Sequence, residues 1–201
     1  MPVSTSRLEA FSDGVFAIAI TLLVLEIRVP AGQGDHLWRA LGHEWPSFAG
    51  FVVSFVTIGI IWVNHHGLFD SVREVNRPLL FLNLFLLLSV AFIPFTTALM
   101  ADYLREGQGQ DVATAVYAGS LLLMGWGFTA LGQYLHRKRP PGYEELSEAD
   151  RRELVVRSTA GWLVYAVAVA VAFVNAYAGL VICGLVALAY IPGRWLGTPE
   201  S

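Results

Sequence analysis

The chain has 201 residues, of which 55% are hydrophobic and only 14% charged, and its mean hydropathy is +0.56. Soluble domains carry about a quarter charged residues, so this deficit and the recurring long apolar runs place the chain among integral membrane proteins. A net charge of −3 argues against a basic nucleic-acid surface, and the single cysteine, Cys183, excludes an intrachain disulfide and a CxxC site.

The first apolar run is FSDGVFAIAITLLVLEI, beginning at Phe11. Glu9 and Asp13 precede or interrupt it and no A-x-A-like site closes it, so it reads as a retained span rather than a signal peptide. Apolar runs then recur, and helices are predicted at about 5–28, 46–69, 78–103, 111–136, 156–175 and 177–193 within a single domain covering 1–201. The last two come from one stretch too long for a single crossing, with Asn175 and Gly179 offering a turn between them. Gly-Gln-Gly at 107–109 reads as a short loop. RKRPPGYEELSEADRREL is the one extended polar connector, with Ser147 and Asp150 spaced like a capping box. Trp38, Trp45, Tyr103 and Trp195 read as interfacial anchors. The predominance of Arg over Lys points to a GC-rich bacterial genome. The fold class expected is an all-α integral membrane protein of six transmembrane helices.

Charge orients these helices. With the N-terminus inside, the inner segments hold ten of the thirteen basic residues and the outer segments hold Arg28, Arg39 and Arg105. The positive-inside rule then puts both termini in the cytoplasm, which an even number of spans requires.

On a helical wheel for the first helix, Phe11, Gly14, Thr21, Leu22 and Leu25 all fall within about 60° of Ile18. Asp13 falls about 140° away, near Ala17, Ile20 and Val24. The second predicted helix runs back inward and ends near Trp62, His65 and His66, and the third begins on that side with Asn83 one to two turns in. Ser12, Asp13, His65, His66 and Asn83 are therefore expected at similar depth, with Arg7 able to close the group. Such partners are how a membrane protein satisfies a buried carboxylate.

Arg7, Phe11, Ser12, Asp13 and Gly14 spell RxxxFSDG at the start of a transmembrane helix, with Thr21 following and Trp62, His65 and His66 closing the second helix. In these residues the chain resembles the prokaryotic branch of the transmembrane protein 175 family of potassium channels. The resemblance implies a homotetramer of six-helix subunits in the cell membrane, with the first helix of each lining a central pore. It maps the pore constrictions onto Ile18, Thr21, Leu22 and Leu25. It implies a potassium-selective channel, proton-conducting in some members, that lacks a TVGYG carbonyl filter. Selectivity would come from aliphatic rings with the Thr21 hydroxyls as the one polar layer. No catalysis and no cofactor are implied; the permeating potassium ion is the only metal, and the partners are the lipid bilayer and further copies of the chain.

Other readings stand beside these. An aliphatic stripe also serves helix packing, and a lone threonine usually bonds back to its own helix. Asp13 can be an anchor, a proton relay or an ion site, with its direction away from the stripe favouring the anchor. His65 and His66, adjacent on a helix, point about 100° apart and do not readily face one metal ion. Glu26 and Arg28 either set the charge of the outer mouth or mark the interface. The alternative function is a proton-coupled secondary transporter using Asp13 with His65 and His66, but the chain shows no repeat with matching broken helices. An intramembrane enzyme lacks a nucleophile motif.

Overall fold

The computed structural model describes residues 3–28, 36–69, 72, 74–138 and 148–191. Ser147, Trp195 and the basic residues Arg73, Arg139 and Arg194 lie outside them. Helices dominate: α1 (Thr5–Leu22), extended by a 3-10 turn (Leu23–Glu26), α2 (Leu37–His43), α3 (Trp45–Phe69), α4 (Arg77–Glu106), α5 (Gln110–Lys138), α6 (Glu148–Ala172) and α7 (Ala176–Tyr190). The segments Thr5–Glu26, α3, α4 and α5 are each long and apolar enough to cross a membrane.

Several boundaries follow from local chemistry. Asn76 caps α4, accepting from the Leu79 amide at 3.1 Å, and Pro78 sits in the first turn where its missing N–H costs nothing. At the far end Gly107 adopts φ 73°, the left-handed geometry that ends a helix, and Gly109 at φ 71° completes the turn into α5. Asn175 caps α7 through the Ala178 amide at 3.0 Å, so the long apolar stretch breaks at this asparagine.

Two helix boundaries differ from those expected. First, α-helical geometry stops at Leu22 rather than continuing to about residue 28, because the last turn tightens into 3-10 form and Ile27 is extended at φ −81°, ψ 109°. Second, α6 begins at Glu148 as one continuous helix, so the polar start and the apolar run share an axis. A two-residue strand pair accompanies the helices. Val3–Ser4 pairs antiparallel with Glu74–Val75, joining the N-terminal strand β1 to β2 ahead of α4. The helix α2, seven residues long, is too short to stand out in a hydropathy reading.

The helices alternate in direction, and contacts at both ends record it. At one end lie the β1–β2 pair and the hydrogen bond from Tyr134 Oη to Asn76 Oδ1, 3.0 Å. At the other, Arg28 meets Asp102, Arg105 meets Glu44, and Trp45 stacks on Tyr177 with centroids 5.9 Å apart. Inside, α5 packs against α4, α6 and α7, while α1 packs against α3 and α4. The shared core includes Leu23, Ile58, Leu79, Leu86, Ile93, Tyr117, Leu121 and Leu131, all fully buried. Close helix approach depends on small residues: a Cβ on Gly50 would lie 3.0 Å from both Thr97 Cγ2 and Met100 Cε, and one on Gly127 3.1 Å from the Phe85 ring.

Buried hydroxyls join the helices within this core. Ser54 Oγ bonds both Thr97 Oγ1 at 2.8 Å and Tyr117 Oη at 2.9 Å, linking α3, α4 and α5. Thr96 and Ser120 pair at 2.9 Å nearby. Each of these hydroxyls finds its partner in protein.

Candidate functional site

The first helix has a buried face and a free one. Leu8, Ser12, Phe16, Ala19 and Leu23 are buried, at spacings of four, four, three and four residues, which is one side of an α-helix. Phe11, Gly14, Ile18, Thr21, Leu22 and Leu25 occupy the opposite side and are exposed in the single subunit, Ile18 to 60% and Leu25 to 74%. The 3-10 turn refines the geometry of this face. Residues three apart eclipse in such a turn, so Leu25 stands over Leu22 instead of about 60° from it, as a continuous α-helix would place it.

Thr21 is the one hydroxyl on the free face, and its Oγ1 lies 2.9 Å from both the Ala17 and Ile18 carbonyl oxygens. The hydroxyl proton is therefore directed back at the helix, and the oxygen lone pairs are left for any group facing the exposed side. Apolar neighbours above and below give those lone pairs no competing donor from the same face.

A hydrogen-bonded chain holds the buried face. Ser12 Oγ donates to the Leu8 carbonyl at 2.9 Å, so its oxygen accepts from Asn83 Nδ2, also at 2.9 Å. That commits the Asn83 amide nitrogen and leaves Oδ1 to accept from His65 Nε2 at 2.7 Å. Ser12, Asn83 and His65 are all buried, and they tie α1 to α4 and α4 to α3. His65 also packs between Phe16, with centroids 5.4 Å apart, and Phe69, at 4.6 Å.

Asp13 does not join that chain. Its Oδ1 accepts from Trp62 Nε1 at 2.9 Å, a contact between α1 and α3 on the flank of the free face. The grouping expected from depth thus divides in two: Ser12, Asn83 and His65 inside, Asp13 and Trp62 at the margin. His66 stacks on the Trp62 ring with centroids 6.4 Å apart, on a different side of α3 from His65. The two imidazoles diverge, and among the described residues no group of histidine, cysteine and carboxylate side chains could hold a metal ion. Arg7 is exposed below Asp13 and the structure does not bring the two together.

Sequence reasoning missed the Asp13–Trp62 pair because the wheel places residues of one helix only. It also missed the ion pairs of Arg28, Glu44, Asp102 and Arg105. For these a signal existed: Asp102 and Arg105 are three residues apart at the end of α4, where opposite charges on one face meet.

A family model described as the endosomal/lysosomal potassium channel TMEM175 matches residues 7–94. A potassium channel of Streptomyces collinus is 48% identical over 203 residues, covering 98% of each chain. The chain belongs to the TMEM175 family. A potassium channel of Chamaesiphon minutus is 40% identical over 192 residues, 92% of each chain. The crystal structure of a lysosomal potassium-selective TMEM175 homologue from that organism superposes with a TM-score of 0.82 at 37% identity, covering 92% of this chain and 95% of the other. Among animal TMEM175 proteins, the endosomal/lysosomal proton channel of Gallus gallus is 36% identical over 124 residues, which is 57% of this chain and 25% of that protein. TMEM175 proteins are ion channels, not enzymes, and this member is a multi-pass membrane protein.

Proposed function

We propose that four copies of this chain assemble in the cell membrane around the exposed face of α1 and form a potassium-selective channel. The observation that carries the reading is the free aliphatic face of a helix whose other side is buried and hydrogen-bonded to α3 and α4. An apolar face with a single hydroxyl layer suits a narrow conduit that selects by squeezing hydration and gates by dewetting. The bacterial relatives are named potassium channels, and the animal ones proton channels, so proton permeation belongs among the properties to measure. The transporter reading draws no support from relatives so named.

In this reading the chain crosses the bilayer six times, with both termini in the cytoplasm. The 25 residues of α6 span about 38 Å, enough for a crossing whose first turns lie among headgroups. The 15 residues of α7 span about 22 Å, which local thinning of the bilayer accommodates. Ile18, Leu22 and Leu25 are the constricting residues and Thr21 supplies the polar layer. Ser12, Asp13, Trp62, His65 and Asn83 hold the helix in register, and Arg7, Phe11, Gly14 and His66 complete the motif around them. No cofactor takes part.

Purified protein in liposomes with a potassium gradient and a voltage-sensitive dye tests this. Wild type is expected to develop a potassium diffusion potential. Ile18→Asn, which wets the constriction, should raise sodium flux towards that of potassium, and Thr21→Ala should reduce discrimination with the channel still assembled. A monomer in detergent, or wild-type selectivity in both variants, would overturn the assignment.

A further inference from the structure

The last turn of α1 packs against α3 and α4 through Leu23 and leaves its other side free. It is a 3-10 turn, with poorer hydrogen-bond geometry than an α-helix, and of its four residues only Leu23 is buried. Beyond it the chain is extended at Ile27 and then reaches Arg28, whose Nη2 meets Asp102 Oδ2 at 2.5 Å. Asp102 is itself held in place. Its Oδ1 accepts from Arg105 Nη2, and Arg105 Nη1 reaches both Glu44 oxygens, at 2.7 and 2.6 Å. The Arg105 and Glu44 side chains are only 17% and 13% exposed, so the anchor behind Asp102 is largely shielded from water while Arg28 at 62% is not.

Helix α4 therefore grips α1 at two levels. Asn83 holds Ser12 near one end, and Asp102 holds Arg28 past the other, 19 residues further along α4 (102 − 83), or about 28 Å. Leu25 lies in the 3-10 turn that Leu23 packs inward and that Arg28, just beyond it, ties to α4.

Building on the channel reading, we propose that Arg28 and Asp102 are positioning residues for the outer constriction: their ion pair fixes the 3-10 turn so that Leu25 stacks over Leu22. Arg105 and Glu44 act behind them by fixing Asp102. The charges pair off within this network, so its effect on permeating cations is exerted through the position of Leu25 and not through a net charge at the mouth.

A double-mutant cycle in planar bilayers tests the proposal, with unitary potassium conductance and the potassium-to-sodium permeability ratio as readouts. Arg28 is exposed and lies outside the helix, so Arg28→Gln is expected to assemble normally. It should change at least one readout by about threefold or more, the scale set by losing one exposed ion pair. Arg28→Lys, which keeps the charge, should stay close to wild type. In a Leu25→Ala background the further change on Arg28→Gln should vanish, because the residue it positions is gone. An equal change in both backgrounds would assign Arg28 a direct electrostatic role at the mouth and overturn the proposal, as would Arg28→Gln channels that match wild type. Wild-type protein that carries no potassium current at all would instead overturn the channel reading.

Discussion

Asn83 serves two partners with one side chain, donating to Ser12 and accepting from His65, and all three are buried. Asn83→Ala strands the Ser12 oxygen and the His65 N–H together. A hydrogen bond between membrane helices is worth about 0.6–2 kcal/mol, so the loss of two should lower the thermal stability of the detergent-purified assembly by several degrees, measured by size-exclusion after heating. Asp13 behaves differently. Its bond to the Trp62 indole needs only an acceptor oxygen, which asparagine still offers. Asp13→Asn should therefore cost less assembled protein than Asp13→Ala, with Trp62→Phe resembling the alanine variant; equal yields for the Asn and Ala variants would show that the negative charge is what counts. Depth along alternating helices was enough to group Ser12, His65 and Asn83. It could not resolve which helix face each side chain leaves from, and so it could not assign Trp62 to Asp13.

Among the elements, boundaries governed by a single capping residue were the most legible. Asn175 lies where the last long apolar stretch divides, and Gly107 and Gly109 form the turn where Gly-Gln-Gly suggested one. The 3-10 end of α1 was hidden because LVLE has no proline or glycine to mark it. The α3–α4 contact was equally hidden, since a glycine in an apolar helix does not say what it faces. Gly50 sits where a β-carbon would meet Thr97 and Met100 at 3.0 Å. Gly50→Val is expected to destabilise the subunit by about 1–3 kcal/mol through overpacking, read as a lower melting temperature, whereas the same substitution at Gly59, with open space around it, should cost far less.

For the whole molecule, charge asymmetry and apolar periodicity carried the reading further than any single residue. They implied a bundle of alternating helices, and the contacts at the two ends obey that alternation. Ion conduction could not be read from a lone subunit's composition, because the exposed side of α1 resembles any lipid-facing stripe; family membership is what separates the two. The central claim is that ions pass along this face. Single-cysteine scanning of α1 in reconstituted protein tests it most directly, since the native Cys183 is fully buried and silent to aqueous reagents. Thr21→Cys and Leu22→Cys channels should lose potassium current on treatment with a water-soluble thiol reagent, while Ala19→Cys, on the buried face, should keep it. Block at Ala19→Cys with none at Thr21→Cys or Leu22→Cys would contradict the account.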